Sequence, residues 1–156
     1  MPDQEPDLHL GAFSLFVFGR QFEASNDYWD GNWLRVLARV EAERATVEAG
    51  GTILHLGEIA RFTKELDVLN GRLGDSACLR CMATNLAVEL RAVGLGHIKV
   101  TVEITPDHMA QWHKFQFEVD QTFLHPLTRD CKRLLAAFPI RGAPDEIPND
   151  LRDDVA

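Results

Sequence analysis

Apolar and polar residues alternate one by one over most of this chain, and only two stretches change to a three-and-four spacing. Phe13-Ser14-Leu15-Phe16-Val17-Phe18 is a short aromatic run that reads as a strand buried on both faces, ending near Gly19. From Trp33 the pattern is strict. Leu34, Val36, Ala38, Val40 and Ala42 share one face, and Arg35, Arg39, Glu41 and Glu43 the other, which predicts a strand with one wet side. A partner strand covers Thr46 to Leu54, with Gly50-Gly51 marking a bulge or a close backbone approach. Residues 56–70 then shift period. Ile59, Phe62, Leu66 and Leu69 fall on one helical face opposite Glu58, Arg61, Lys64 and Glu65, and Asn70-Gly71 is suited to a left-handed cap.

The second half returns to alternation. Ala77 to Thr84 is one strand, and Leu86, Val88, Leu90 and Ala92 define another. Gly94-Leu95-Gly96 closes a hairpin onto Ile98, Val100, Val102 and Ile104. Pro106-Asp107 is a turn, and Trp112 to Val119 is the last strand, with Phe115, Phe117 and Val119 inward. A helix follows, with Pro126 in its first turn, Leu127, Cys131, Leu134, Leu135 and Phe138 on its apolar face, and Pro139 at its end. The expected fold is therefore a single α+β domain, a mainly antiparallel sheet of about six or seven strands packed by two helices. Residues 1–10 read as a flexible arm, 11–139 as the domain, and 140–156 as an acidic, proline-containing tail with few apolar groups to order it. No internal repeat stands out in the sequence.

Size and charge narrow the classes of function. The 156 residues suit one core, and 46% apolar with 26% charged residues is ordinary for a globular domain. No apolar run approaches membrane-spanning length, and the acidic start Met1-Pro2-Asp3-Gln4-Glu5 leads into no signal-peptide core, so a cytoplasmic protein is expected. Sixteen Lys and Arg against 24 Asp and Glu give a net charge of −8, the reverse of what phosphate neutralisation needs. Nucleic acid and anionic membranes are thus disfavoured as partners. The charge reads either as solubility or as a match for a basic protein. Exposed strand edges leave homo-oligomers open. Cys78, Cys81 and Cys131 are expected to be reduced, structural thiols, because Cys78-Leu79-Arg80-Cys81 falls on a strand rather than opening a helix.

No catalytic constellation emerges. Six histidines show neither HExxH nor His-x-His spacing, and no metal or cofactor is expected. Ser14, Ser25 and Ser76 sit in no nucleophile motif, so an enzyme is not expected. The one unusual segment is Asp27-Tyr28-Trp29-Asp30-Gly31-Asn32-Trp33-Leu34, with two tryptophans and two aspartates in eight residues. Trp29 and Trp33 are either core anchors or a presented aromatic surface, with the first the commoner fate. Asp27, Asp30, Glu118 and Asp120 are candidate paired carboxylates, but Asp27 and Asp30 more simply accept backbone hydrogen bonds in the turn. Phe117, Phe123 and Phe138 are expected in the core.

At Asp27 to Leu34 the chain resembles the WapI-type immunity family, which has a D-x-W-D-[AG]-N-W-L turn between an early strand and alternating strands. The helix Ile59 to Leu69, the stretch Phe115 to Thr122 and the helix after it are also similar, so that the likeness spans roughly residues 11 to 138. The resemblance implies a non-enzymatic protein that binds and neutralises a bacterial toxin domain, often a nuclease and then a basic one. It transfers no list of binding residues. Asp27, Trp29, Asp30 and Trp33 are the binding candidates it suggests. The alternative is a small-ligand or regulatory module with the Trp-rich turn as a pocket wall, and a hydrolase built on Asp27, Asp30 or Asp120 has the least support.

Overall fold

The structure, a computed structural model, describes residues 4–71 and 74–154. Its strands form two four-stranded antiparallel sheets, not one larger sheet. The first contains β1 (Leu8–Leu10), β2 (Phe13–Arg20), β3 (Trp33–Ala42) and β4 (Ala45–His55) in that order. The second contains β5 (Ser76–Arg80), β6 (Leu86–Gly94), β7 (His97–Ile104) and β8 (Lys114–Asp120). Helix α1 (Leu56–Asn70) leaves the end of β4, and α2 (Leu124–Ala137) follows β8. Each half thus runs four strands then a helix. α1 packs on β5 and α2 touches β1, so each helix meets the first strand of the other half. The repetition lies in topology alone, which is why no repeat shows in the sequence.

Alternation dictates the layers. Leu15, Leu34, Val36, Ala38 and Val40 of the first sheet and Leu79, Val88, Leu90, Val100 and Val102 of the second are buried in one core with Leu56, Ile59, Phe62, Leu66, Leu127 and Cys131 of the helices. Each fully buried Leu or Ile contributes about 1.5–3 kcal/mol relative to an exposed one. The bulge in β4 falls at Ile53, not at the Gly50-Gly51 pair expected to mark one, since both glycines pair in register with Leu37 and Val36. The β3–β4 register shifts between Leu34 and Arg35, and Gly51 has φ +125°. Gly94, Leu95 and Gly96 all take positive φ in the β6–β7 hairpin.

Several expectations need correction. Leu8–Leu10 are not part of a loose arm, since both leucines are buried and the segment pairs with Phe13–Leu15. Asp7 is fixed too, its Oδ2 accepting the Val17 N–H at 2.7 Å. The tail is not loose over its described length, because Ile147 and Leu151 are buried against Tyr28 and Ala60. Residues 1–3 of the expected arm and 155–156 of the expected tail lie outside the described residues. Gly71 caps α1 with φ −80°, not a left-handed conformation, and its N–H bonds Asp67 O at 3.0 Å. The strand expected over 77–84 stops at Arg80, so Cys81 lies just beyond it. The last strand starts at Lys114, leaving Trp112 exposed in the preceding loop. Phe123 is exposed, not core, while Phe117 and Phe138 are half-buried against the core.

Candidate functional site

The segment from Asp27 to Leu34 enters β3 through a short 3-10 turn at Asp30–Asn32. Asp27 builds it. Its Oδ1 accepts the Asp30 N–H at 2.7 Å, the Gly31 N–H at 3.1 Å and the Ser25 hydroxyl at 3.2 Å. Turn chemistry therefore accounts for Asp27. The Asp30 carboxylate is exposed and has no hydrogen-bond or ion-pair partner among the described residues.

Asn32, fully buried, is the hub of the site, and the sequence reading passed over it. Its amide donates to Tyr28 O at 2.7 Å and Arg141 O at 2.9 Å, and its Oδ1 accepts from Arg141 N at 2.9 Å and Arg20 Nη1 at 3.2 Å. Buried Arg20 also donates to Gly31 O at 2.6 Å and to Pro139 O, and its guanidinium lies 5.8 Å from the Phe138 ring centroid. Burial, reinforced by neighbouring Arg141, draws the Arg20 pKa below its ordinary value. Arg141 donates from Nη1 to Glu23 O at 2.7 Å and Ser25 O at 2.9 Å. Arg20 and Asn32 thus clasp the segment after α2, at Pro139 and Arg141 respectively. An asparagine among tryptophans gives little hint of this, because one of its partners, Arg141, lies 109 residues along the chain.

The aromatic side of the turn is organised by His55, the N-cap of α1. Its Nδ1 accepts the Gly57 N–H at 3.0 Å, which leaves Nε2 protonated to donate to Tyr28 O at 3.1 Å. Glu58 closes the capping box by accepting the His55 N–H at 2.8 Å, and it also accepts the Met82 N–H. Burial holds the Glu58 carboxyl above its usual range. Tyr28, Trp29 and Trp33 surround the imidazole with ring centroids at 5.0, 5.7 and 5.1 Å. A Cβ at Gly57 would lie 2.3 Å from the Tyr28 hydroxyl, so glycine makes room for that ring. Tyr28 is buried and Trp33 half-buried, as anchors should be, but Trp29 is 57% exposed and so is not a core anchor.

Burial lowers the His55 pKa below 6.5, against the pull of its bonds to the Tyr28 and Trp29 backbone. An unfolded chain binds this proton near pH 6.5 and the folded one only at lower pH. The associated stability is therefore present above about pH 6.5 and lost as pH falls through the gap. NMR titration is expected to show His55 as the Nε2–H tautomer with a midpoint below 6.5. His55→Asn should flatten the fall in melting temperature between about pH 7 and 5.5. A His55 midpoint at or above 6.5 would contradict the assignment.

Other candidate chemistry is absorbed by structure. Asp120 caps the turn before α2 by accepting the Thr122 N–H at 2.9 Å, and this bond holds its carboxyl below the usual range. Burial raises all three thiols, Cys131 to about 12, so they stay protonated and poorly nucleophilic near neutral pH. No group of three or more His, Cys, Asp or Glu among the described residues is arranged to hold a metal ion. No described helix is long and apolar enough to cross a membrane.

Two four-stranded antiparallel sheets, two helices and a Trp-rich turn that clasps the C-terminal segment define a small α+β protein. Its family follows from comparison. The chain matches the model of the immunity protein WapI-like family over residues 7–139 and belongs to that family. As an immunity protein it falls in a class whose general role is to neutralise a toxin. Neither a curated protein nor a solved structure matches it.

Proposed function

We propose that this protein neutralises its toxin by binding it, without catalysis, and that the toxin is a basic domain, most simply a nuclease acting in the cytoplasm. The observation that carries the reading is the family match over residues 7–139 in a chain of net charge −8. A nuclease that grips phosphates presents a basic groove. An acidic inhibitor gains association rate from that field and can occupy the groove in place of the nucleic acid. The described chemistry agrees, since the buried polar groups are tied into caps and clasps.

The test is capture of the tagged protein from the organism that carries it, at low and at high salt, with the retained proteins identified by mass. A basic toxin domain that is retained at low salt and released at high salt is expected. Retention of no toxin domain under either condition would count against the reading.

A further inference from the structure

We propose that the cleft between the end of β2 and the segment after α2, which holds Arg20 and Arg141 with no carboxylate bound to either, is a seat for an oxyanion, the carboxylate or phosphate group of a small ligand. The cleft has a volume of about 600 Å³ and is lined by Gly19, Arg20, Glu23 and residues 137–141. Arg20 is the one buried lysine or arginine among the described residues, 7% exposed. Its guanidinium lies against the cleft wall, 5.8 Å from the Phe138 ring centroid and bonded to Pro139 O. A buried cation ordinarily has a carboxylate beside it, because an unpaired charge is costly to desolvate. Arg20 has none. Its acceptors are Gly31 O, Asn32 Oδ1 and Pro139 O, all neutral. Arg141 likewise gives its side-chain bonds to two backbone carbonyls, of Glu23 and Ser25. Arg39, Arg61 and Arg80, by contrast, each have a carboxylate partner.

The donors left over point to the ligand. A guanidinium carries five N–H groups. The Nε–H and one Nη2–H of Arg20, and the Nε–H and both Nη2–H of Arg141, have no acceptor among the described residues. No side-chain nitrogen shut off from solvent lacks a partner among those residues, so the free Arg20 Nε is open to solvent, and the cleft is the opening that Arg20 lines. Charge selects the same occupant. The charged side chains of the cleft are Arg20, Arg141 and Glu23, two positive against one negative. The Glu23 carboxylate is exposed and pairs with neither arginine. Burial and the neighbouring Arg141 both weigh against the charge on Arg20. A bound oxyanion offsets both, and it takes the paired N–H bonds that a guanidinium fork offers to carboxylates and phosphates.

The test is NMR titration of the full chain with sodium phosphate and, separately, sodium acetate, following the arginine Nε–H signals at an ionic strength held constant with sodium chloride. The Arg20 and Arg141 signals should shift together and saturate, while that of Arg39, held by Glu41 and Glu48, stays in place. Glu23→Gln removes the negative side chain of the cleft and keeps the backbone carbonyl that Arg141 uses, so it should tighten binding about threefold, the effect of one water-screened charge. Arg141→Gln should weaken binding about tenfold, and Leu95→Ala, on the β6–β7 hairpin, should leave it unchanged. Circular dichroism would verify folding, and the wild-type and Glu23→Gln titrations decide the matter should Arg141→Gln fail to fold. Tighter phosphate assigns the seat to a phosphorylated ligand, and tighter acetate to a carboxylate. No saturable shift with either anion, an Arg20 signal that does not move, or unchanged affinity in Glu23→Gln overturns the seat. The seat is independent of the toxin-binding reading, which is tested by capture and protection and stands or falls without it.

Discussion

Replacing Asn32 by alanine is expected to destabilise the protein by about 3–4 kcal/mol, several times the effect of a surface change. The side chain is fully buried and makes four hydrogen bonds, two given and two received. Alanine would strand the Arg141 carbonyl and N–H, leave the Tyr28 carbonyl with His55 alone, and remove one of three acceptors from buried Arg20. Each stranded group costs ~1–3 kcal/mol, offset where water enters. For a domain of this size the melting temperature should fall by roughly 8–12 °C. Hydrogen exchange should also show residues 139–152 losing protection ahead of the sheets. A shift within about 2 °C, with exchange unchanged, would mean that the clasp is not what holds the turn.

Truncation after Ile140 should cost still more. It removes Ile147 and Leu151, which are buried against Tyr28 and Ala60, and each contributes about 1.5–3 kcal/mol. It also removes Arg141, which bonds Asn32 and the carbonyls of Glu23 and Ser25, and Asp150, the partner of Arg61. A loss of about 4–7 kcal/mol is a large share of the ~5–15 kcal/mol that holds a typical domain together. The truncated chain is expected to melt roughly 11–20 °C lower or to aggregate. A chain ending at Ile140 that melted like wild type would return the segment to the status of a loose tail.

These two predictions also mark where the sequence was legible. Strands such as Trp33–Ala42 and His97–Ile104, and helix Leu56–Asn70, are set by period, because burying one face of a regular element forces apolar residues to recur. The division of eight strands into two sheets was not legible, because the pattern shows which face is wet but not which edge a strand joins. The tail misled for a related reason. Its composition is acidic and proline-containing, and among the described residues few apolar side chains, Ile140, Ile147 and Leu151, pack against the core. What orders it is Asn32, Arg20 and Arg141 acting on backbone groups, and such bonds have no composition signature.

The same contrast runs through the candidate site. The residues of the motif take different roles in the structure. Asp27, Trp29, Asp30 and Trp33 are the binding candidates of the motif, yet Asp27 folds the turn and half-buried Trp33 lies against His55. Asn32, a fixed letter of the motif, and His55 hold the turn in place, but neither residue type by itself announces that role. Met82 is brought to this region by its N–H, which Glu58 of α1 accepts.

The most direct measurement is growth of cells that express the toxin domain retained in the capture experiment, with and without this protein. Binding alone is predicted to suffice. Co-expression should restore growth, and mixing the purified chains should block the toxin's activity at a one-to-one ratio, less effectively as salt rises. Cells that die equally with and without the protein would contradict the account at its centre.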